Sequence, residues 1–141
     1  MRSVDKTVPL KGEAKMSKPF YVKYEAPKEI VDAAYEALSI ASKTGVVRKG
    51  TNEATKAVER AQAKLVVIAE DVDPPEVIAH LPLLCEERKI PYVFVPNKDK
   101  LGSAVGIDVP CASACIIKEG EAGGLIKELI KRIEQVKRGA Q

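Results

Sequence analysis

The chain has 141 residues and is 45% hydrophobic and 30% charged, with 23 basic against 20 acidic side chains and a net charge of +3. That is the length of one domain able to bury a real core. No apolar run approaches the ~20 residues of a membrane-spanning helix, so a soluble protein is expected, and the modest charge excludes a polycation that coats long duplexes.

Residues 1–15 are charged and lack the apolar centre of a secretory signal. With Met16 as a second possible start, they are expected to be a disordered N-terminal extension, leaving 16–141 as a single domain. Residues 27–43 read as an amphipathic helix, with Ile30, Val31, Ala34, Leu38 and Ala41 at helical spacing, Pro27 in its first turn and Gly45 just beyond its end. Val46, Val47 and Arg48 form a short extended piece leading into a turn at Gly50. A second helix is expected over 53–62, with Thr51 or Asn52 as its cap. The apolar run 65–69 reads as a buried strand.

Residues 71–75 form a loop in which Asp73 fits a cap and Pro74 the first position of a short helix ending near Pro82. Pro82 can open a further helix, turning Leu84 and Cys85 inward and Glu86, Glu87 and Arg88 outward. Residues 92–95 are a second buried strand, and Asn97 with Lys98 and Asp99 caps a short helix ending at Gly102 or Gly106. After the loop 107–110 come a last strand over 112–118 and a last helix over 121–137, with Leu125, Ile126, Leu129, Ile130, Ile133 and Val136 inward. Helices alternating with short apolar strands give an α/β helix–sheet–helix sandwich.

Charge is unevenly spread: residues 1–60 carry 12 basic and 8 acidic side chains, residues 61–97 carry 3 and 6. A small, shaped RNA site read through base edges needs only such a local basic patch. Three cysteines (Cys85, Cys111, Cys115) without a secretion signal argue for a reducing cytoplasm and against a disulfide framework. With one histidine in the chain a zinc site is not expected. All three cysteines read as buried small apolar residues.

The most informative run is Gly50-Thr51-Asn52-Glu53-Ala54-Thr55-Lys56 behind Arg48-Lys49. It places an amide, a carboxylate and an ammonium on one end of a helix, since positions three and four apart share a face. A carboxylate among basic residues suits the donor edge of a guanine, the amide its acceptor edge, and the lysine O6 or a phosphate. The same run also fits a simple capping device, in which Glu53 answers the helix dipole. Gly45 and Gly50 have the G-x-x-x-x-G spacing of a phosphate loop, but Thr51-Asn52 follows instead of Lys-Ser/Thr and a helix precedes instead of a strand, so that reading fails.

Loops at one end of a layered α/β domain gather binding residues. Three stand out: 49–56, 71–77 with an outward Val77, and 107–110 with Lys98 shortly before it. Ile107 and Val109 either form an apolar shelf for an unstacked nucleotide or plug the end of the core.

The segments Arg48-Lys49-Gly50-Thr51-Asn52-Glu53-Ala54-Thr55-Lys56, Ala69-Glu70-Asp71-Val72-Asp73-Pro74, His80-Leu81-Pro82-Leu83-Leu84-Cys85 and Pro91-Tyr92-Val93-Phe94-Val95 together resemble the archaeal large-subunit ribosomal proteins of the L-seven-Ae kink-turn-binding family, in a match that runs over about residues 21–138, nearly the entire domain. The resemblance implies a three-layer α-β-α sandwich around a mixed four-stranded sheet. It also implies binding to kink-turns, sharply bent RNA elements with tandem sheared G·A pairs and a flipped-out nucleotide. By position, Asn52, Glu53 and Lys56 match readers of the G·A guanines, and Lys49, Gly50 and Thr51 the adjoining backbone contacts. Asp73, Val77 and Lys98 match positions around the bulged nucleotide, and Ile107, Asp108 and Val109 a selectivity loop of the archaeal kind. The implied partners are rRNA, box C/D and H/ACA guide RNAs, ribonuclease P RNA and other ribonucleoprotein subunits, with no cofactor, no metal and no membrane.

Two other functions are open to the chain. A thiol enzyme built on His80 and Cys85 is disfavoured, because Cys85 falls on the apolar side of its helix and is followed by Glu86 and Glu87. A protein-interaction scaffold could use the exposed face of residues 75–88, which is compatible with an RNA role.

Overall fold

The computed structural model describes residues 26–139. The proposed extension 1–15 lies outside them. Within them, α1 (Lys28–Thr44), β1 (Val46–Lys49), α2 (Thr51–Glu59), β2 (Leu65–Ala69), α3 (His80–Arg88), β3 (Tyr92–Val95), α4 (Lys98–Ala104), β4 (Ser113–Lys118) and α5 (Gly123–Gly139) follow in order, with 3-10 turns at Pro75–Val77 and Gly120–Ala122. The sheet order is β1-β4-β2-β3, with β4 antiparallel to both its neighbours and β2 parallel to β3. The sheet is therefore mixed and four-stranded, as expected.

Helix α1 packs on the sheet beside α4 and α5, while α2 packs on β1 and β4 and meets α3. β2 and β3 are buried along their full lengths, which explains their continuous apolar sequence. Ile30, Val31, Ala34, Ala37, Leu38 and Ala41 of α1 are buried, as are Ile126, Leu129 and Ile133 of α5. Burying each such Leu or Ile contributes about 1.5–3 kcal/mol. Leu125, Ile130 and Val136 lie at the margin of this core, half-buried against it.

Three local expectations are corrected. Thr51 and Asn52 are not caps: α2 begins at Thr51, its N-cap is Gly50, and no side chain caps it. The helix also closes at Glu59 instead of Gln62, since Ala61 takes a left-handed φ of 57°. Asp73 does not cap a helix either. Only a 3-10 turn follows it, with Pro74 as its N-cap, and a single helix then runs from His80 through Pro82 to Arg88. Pro82 sits in the first turn of α3, where its missing N–H would have had no helical partner. Asn97 does cap α4, its Oδ1 accepting from the Lys100 amide at 3.0 Å. Cys85, Cys111 and Cys115 are all buried.

Candidate nucleic-acid interface

Strand direction decides where the loops meet. β1 and β2 both run antiparallel to β4, and β3 runs parallel to β2. The C-terminal ends of β1, β2 and β3 therefore share one end of the sheet with the N-terminal end of β4. The start of α2, the loop 70–77, the start of α4 and the loop 107–112 all emerge there. The three segments singled out in the sequence are brought together by topology alone.

The start of α2 is fastened to this end. The Gly50 amide donates to the Ser113 carbonyl at 2.9 Å, and the Thr51 and Ser113 hydroxyls share a hydrogen bond of 3.2 Å. Gly50 has φ 96° and ψ 155°, a conformation open essentially to glycine alone. It turns the chain sharply from Lys49 into the helix and leaves Asn52, Glu53 and Lys56 exposed. Glu53 Oε2 stands 3.9 Å from Lys56 Nζ, with the side chains 52% and 57% exposed. A pair so open to water holds its partners weakly, and the carboxylate is available to another donor.

The other loops are tied to one another. The Lys98 amide donates to Asp71 Oδ1 at 2.9 Å, joining the start of α4 to the loop after β2, and the Cys111 amide donates to the Lys98 carbonyl at 3.0 Å. Tyr35 of α1 donates its hydroxyl to the Asn97 carbonyl at 3.3 Å; burial raises its pKa, against the lowering effect of that bond. Ile107 donates its amide to the Gly102 carbonyl, and Gly102 lies so close under Val109 that a Cβ there would fall 2.1 Å from the Val109 carbonyl oxygen.

Val109 is 60% exposed and Val77 46%, while Ile107 is half-buried against the core. The two readings of the 107–110 loop thus divide between its residues: Ile107 plugs, Val109 projects. Asp73 and Asp108 are exposed, and Lys98 is half-buried as the first residue of α4. Sequence reasoning missed Asp71, Gly102 and Ser113, which hold the loops. Asp71 sits directly after a buried strand, where a side-chain acceptor often meets a loop amide, and that was the available signal.

Beneath the site, Cys111 Sγ donates to the Ser113 carbonyl at 3.0 Å. Burial pushes the Cys111 thiol up, against the lowering influence of the Gly50 and Ser113 backbone and the Lys49 ammonium. Cys115 is pushed up to about 11, first by burial. His80 Nε2 lies 2.8 Å from Thr55 Oγ1, linking α3 to α2, and Cys85 has no exposed surface. Among the described residues no group of histidine, cysteine, aspartate and glutamate is placed to hold a metal ion. Nor is any helix long and apolar enough to cross a membrane.

The profile of the ribosomal protein L7Ae/L30e/S12e/Gadd45 family matches residues 32–126, a span that includes every residue of the three loops. Among solved structures, the 15.5kD RNA binding protein of Giardia lamblia superimposes with a TM-score of 0.74 at 35% identity, covering 79% of this chain and 93% of that one.

Proposed function

The chain belongs to the ribosomal protein L7Ae/L30e/S12e/Gadd45 family, and from that premise we propose that it binds RNA and recognises the kink-turn. The observation that carries this reading is the meeting, at one end of the sheet, of an exposed amide–carboxylate–ammonium set on α2 with an apolar projection from the loops. Asn52 and Glu53 read the edges of the sheared G·A guanines, and Lys56 adds O6 or a phosphate. Val77 and Val109 support the unstacked nucleotide, with Asp73, Asp108 and the half-buried Lys98 around it. Each bidentate base contact contributes about 1–3 kcal/mol of discrimination.

The protein acts by population shift. An RNA that exchanges between extended and kinked forms is drawn to the kinked one by its tighter binding there. The resemblance to archaeal large-subunit proteins extends the proposal to rRNA, box C/D and H/ACA guide RNAs and ribonuclease P RNA, with the chain as a shared structural subunit and not a catalyst. His80 faces Thr55, and the buried Cys85 lacks the access a nucleophile needs.

A second surface fits the partner subunits of such particles. Between α2 and α3 lies a cleft of about 400 Å³ lined by Thr55, Glu59, His80, Leu83, Leu84 and Glu87, in which Leu83 is 63% exposed. The test of the main reading is a gel shift of wild type and Glu53→Ala on an RNA containing tandem G·A pairs and on one with those pairs replaced by Watson–Crick pairs. Strong loss of affinity for the first RNA only is expected. Equal affinity of the two proteins for the G·A RNA would refute it.

A further inference from the structure

Ala69 and Glu70 close the sheet at the end where the loops gather, their amides donating to the Ala112 and Val95 carbonyls at 2.9 and 2.8 Å. Asp71 is the next residue, and its side chain carries the tie beyond the strands: Oδ1 accepts from the Lys98 amide at 2.9 Å. The Lys98 carbonyl in turn accepts from the Cys111 amide at 3.0 Å, and the neighbouring Asn97 carbonyl accepts from the Tyr35 hydroxyl at 3.3 Å. The backbone of Lys98 is thus held from both sides, by the segment that leads to Val77 and by the segment that follows Val109. Helix α4, which Lys98 opens, also carries the 107–110 loop, since the Gly102 carbonyl accepts from the Ile107 amide at 3.0 Å. One carboxylate therefore connects the element bearing Val77 to the element bearing Lys98 and Val109.

An exposed carboxylate beside a polyanion is unfavourable unless its charge is engaged. Asp71 is exposed, and it spends that charge on a backbone amide 27 residues away in sequence. A hydrogen bond to an ionised acceptor is roughly twice as strong as one between neutral groups. The side chain is therefore better suited to support than to contact with RNA. Two apolar residues on separate segments hold one unstacked base only while their spacing is fixed by the residues behind them.

We propose that Asp71 is a positioning residue, and that its bond to Lys98 gives the protein its preference for RNA bearing a nucleobase at the unstacked position. This rests on the RNA reading above and deepens it: Asn52 and Glu53 read the paired guanines from α2, while Asp71 fixes the spacing of the nucleotide side without touching RNA.

The test titrates wild type, Asp71→Ala and Asp71→Asn with two RNAs that both carry tandem G·A pairs. One has an intact flipped-out nucleotide and the other an abasic residue in its place. Exchange of the Lys98 amide with solvent is followed in the free proteins, and thermal unfolding checks that each variant keeps its fold. Wild type is expected to prefer the intact RNA about tenfold, within the range for one stacked base. Asp71→Ala should lose most of that preference by binding the intact RNA more weakly, with unchanged affinity for the abasic RNA and a faster Lys98 amide. Asp71→Asn keeps an acceptor oxygen without the charge and should fall between the two in both readouts. A variant in which the Lys98 amide loosens while the wild-type preference persists would overturn the proposal. Equal losses on the two RNAs, the mark of a merely structural role, would overturn it too. Wild type binding both RNAs equally is a different failure: it would remove the nucleotide side of the RNA reading, and this proposal with it.

Discussion

The hydroxyl of Thr51 lies 3.2 Å from that of Ser113, a side chain with no exposed surface 62 residues along the chain. The bond joins the first residue of α2 to the first residue of β4, the strand flanked by β1 and β2. Helix α2 is thereby registered to the sheet at its exposed end, where helix packing alone would leave it free to fray. Thr51→Val keeps the shape and removes the hydroxyl, taking one partner from a fully buried Ser113. A loss of about 1–3 kcal/mol is expected, read as a lower urea midpoint with an unchanged slope. The pair Thr51→Val and Ser113→Ala should recover part of that loss, and a neutral single variant would show that the bond holds nothing.

Gly50 is required by its backbone and not by crowding. Its φ is 96°, and an added Cβ would meet no atom within 4 Å. Gly50→Ala is therefore expected to cost about 1–3 kcal/mol of stability through strain, with no rearrangement of neighbouring side chains. Gly124→Ala in α5 is the control: its Cβ also meets open space, but there φ is not positive. That change should be neutral or stabilise by up to about 1 kcal/mol. Equal behaviour of the two variants in thermal melts would remove the backbone argument.

The layers of the fold were legible because periodicity reports burial. The apolar runs at 65–69 and 92–95 are the fully buried β2 and β3, and the helical spacing in α1 and α5 marks their buried faces. Errors fell where a single residue decides the geometry. Thr51 carries the chemistry of a cap, but Gly50 takes the cap position and Thr51 spends its hydroxyl on Ser113. Pro82 suggested a helix start and was absorbed into the first turn of α3. The candidate site was legible as three loops with unusual chemistry. Their fastening through Asp71, Gly102 and Ser113 was not, because it depends on contacts between segments far apart in sequence.

Cys115 makes stability fall in alkali. Burial raises its thiol from an ordinary 9.0 to about 11, with the Arg48 charge and backbone opposing and the Glu53 carboxylate adding to the rise. Between those values the unfolded chain releases its proton while the folded chain keeps it, so unfolding is favoured as pH rises. The contribution is fully present below about pH 9 and lost on passing through about pH 11. Urea midpoints of wild type should drop across that window more steeply than those of Cys115→Ala, although the variant is less stable at neutral pH because of its cavity. Parallel curves would show that the thiol does not titrate as argued.

Gly102 supports the loop that carries Val109. A Cβ at this position would lie 2.1 Å from the Val109 carbonyl oxygen and 3.1 Å from its carbon, both backbone atoms that no rotamer change can move aside. In a helix Ala is otherwise favoured over Gly by about 1 kcal/mol, so the sign of Gly102→Ala measures whether the contact or the propensity wins. The contact is expected to win. Stability should fall, and amide shifts should change chiefly over 107–111 and the adjoining turn of α4. Because Val109 moves with its loop, affinity for a kinked RNA should fall as well, while Val109→Ser, on a side chain 60% exposed, should lower affinity without lowering stability. If Gly102→Ala displaces the loop in the spectra and yet binds the kinked RNA as wild type does, Val109 is not part of the nucleotide shelf.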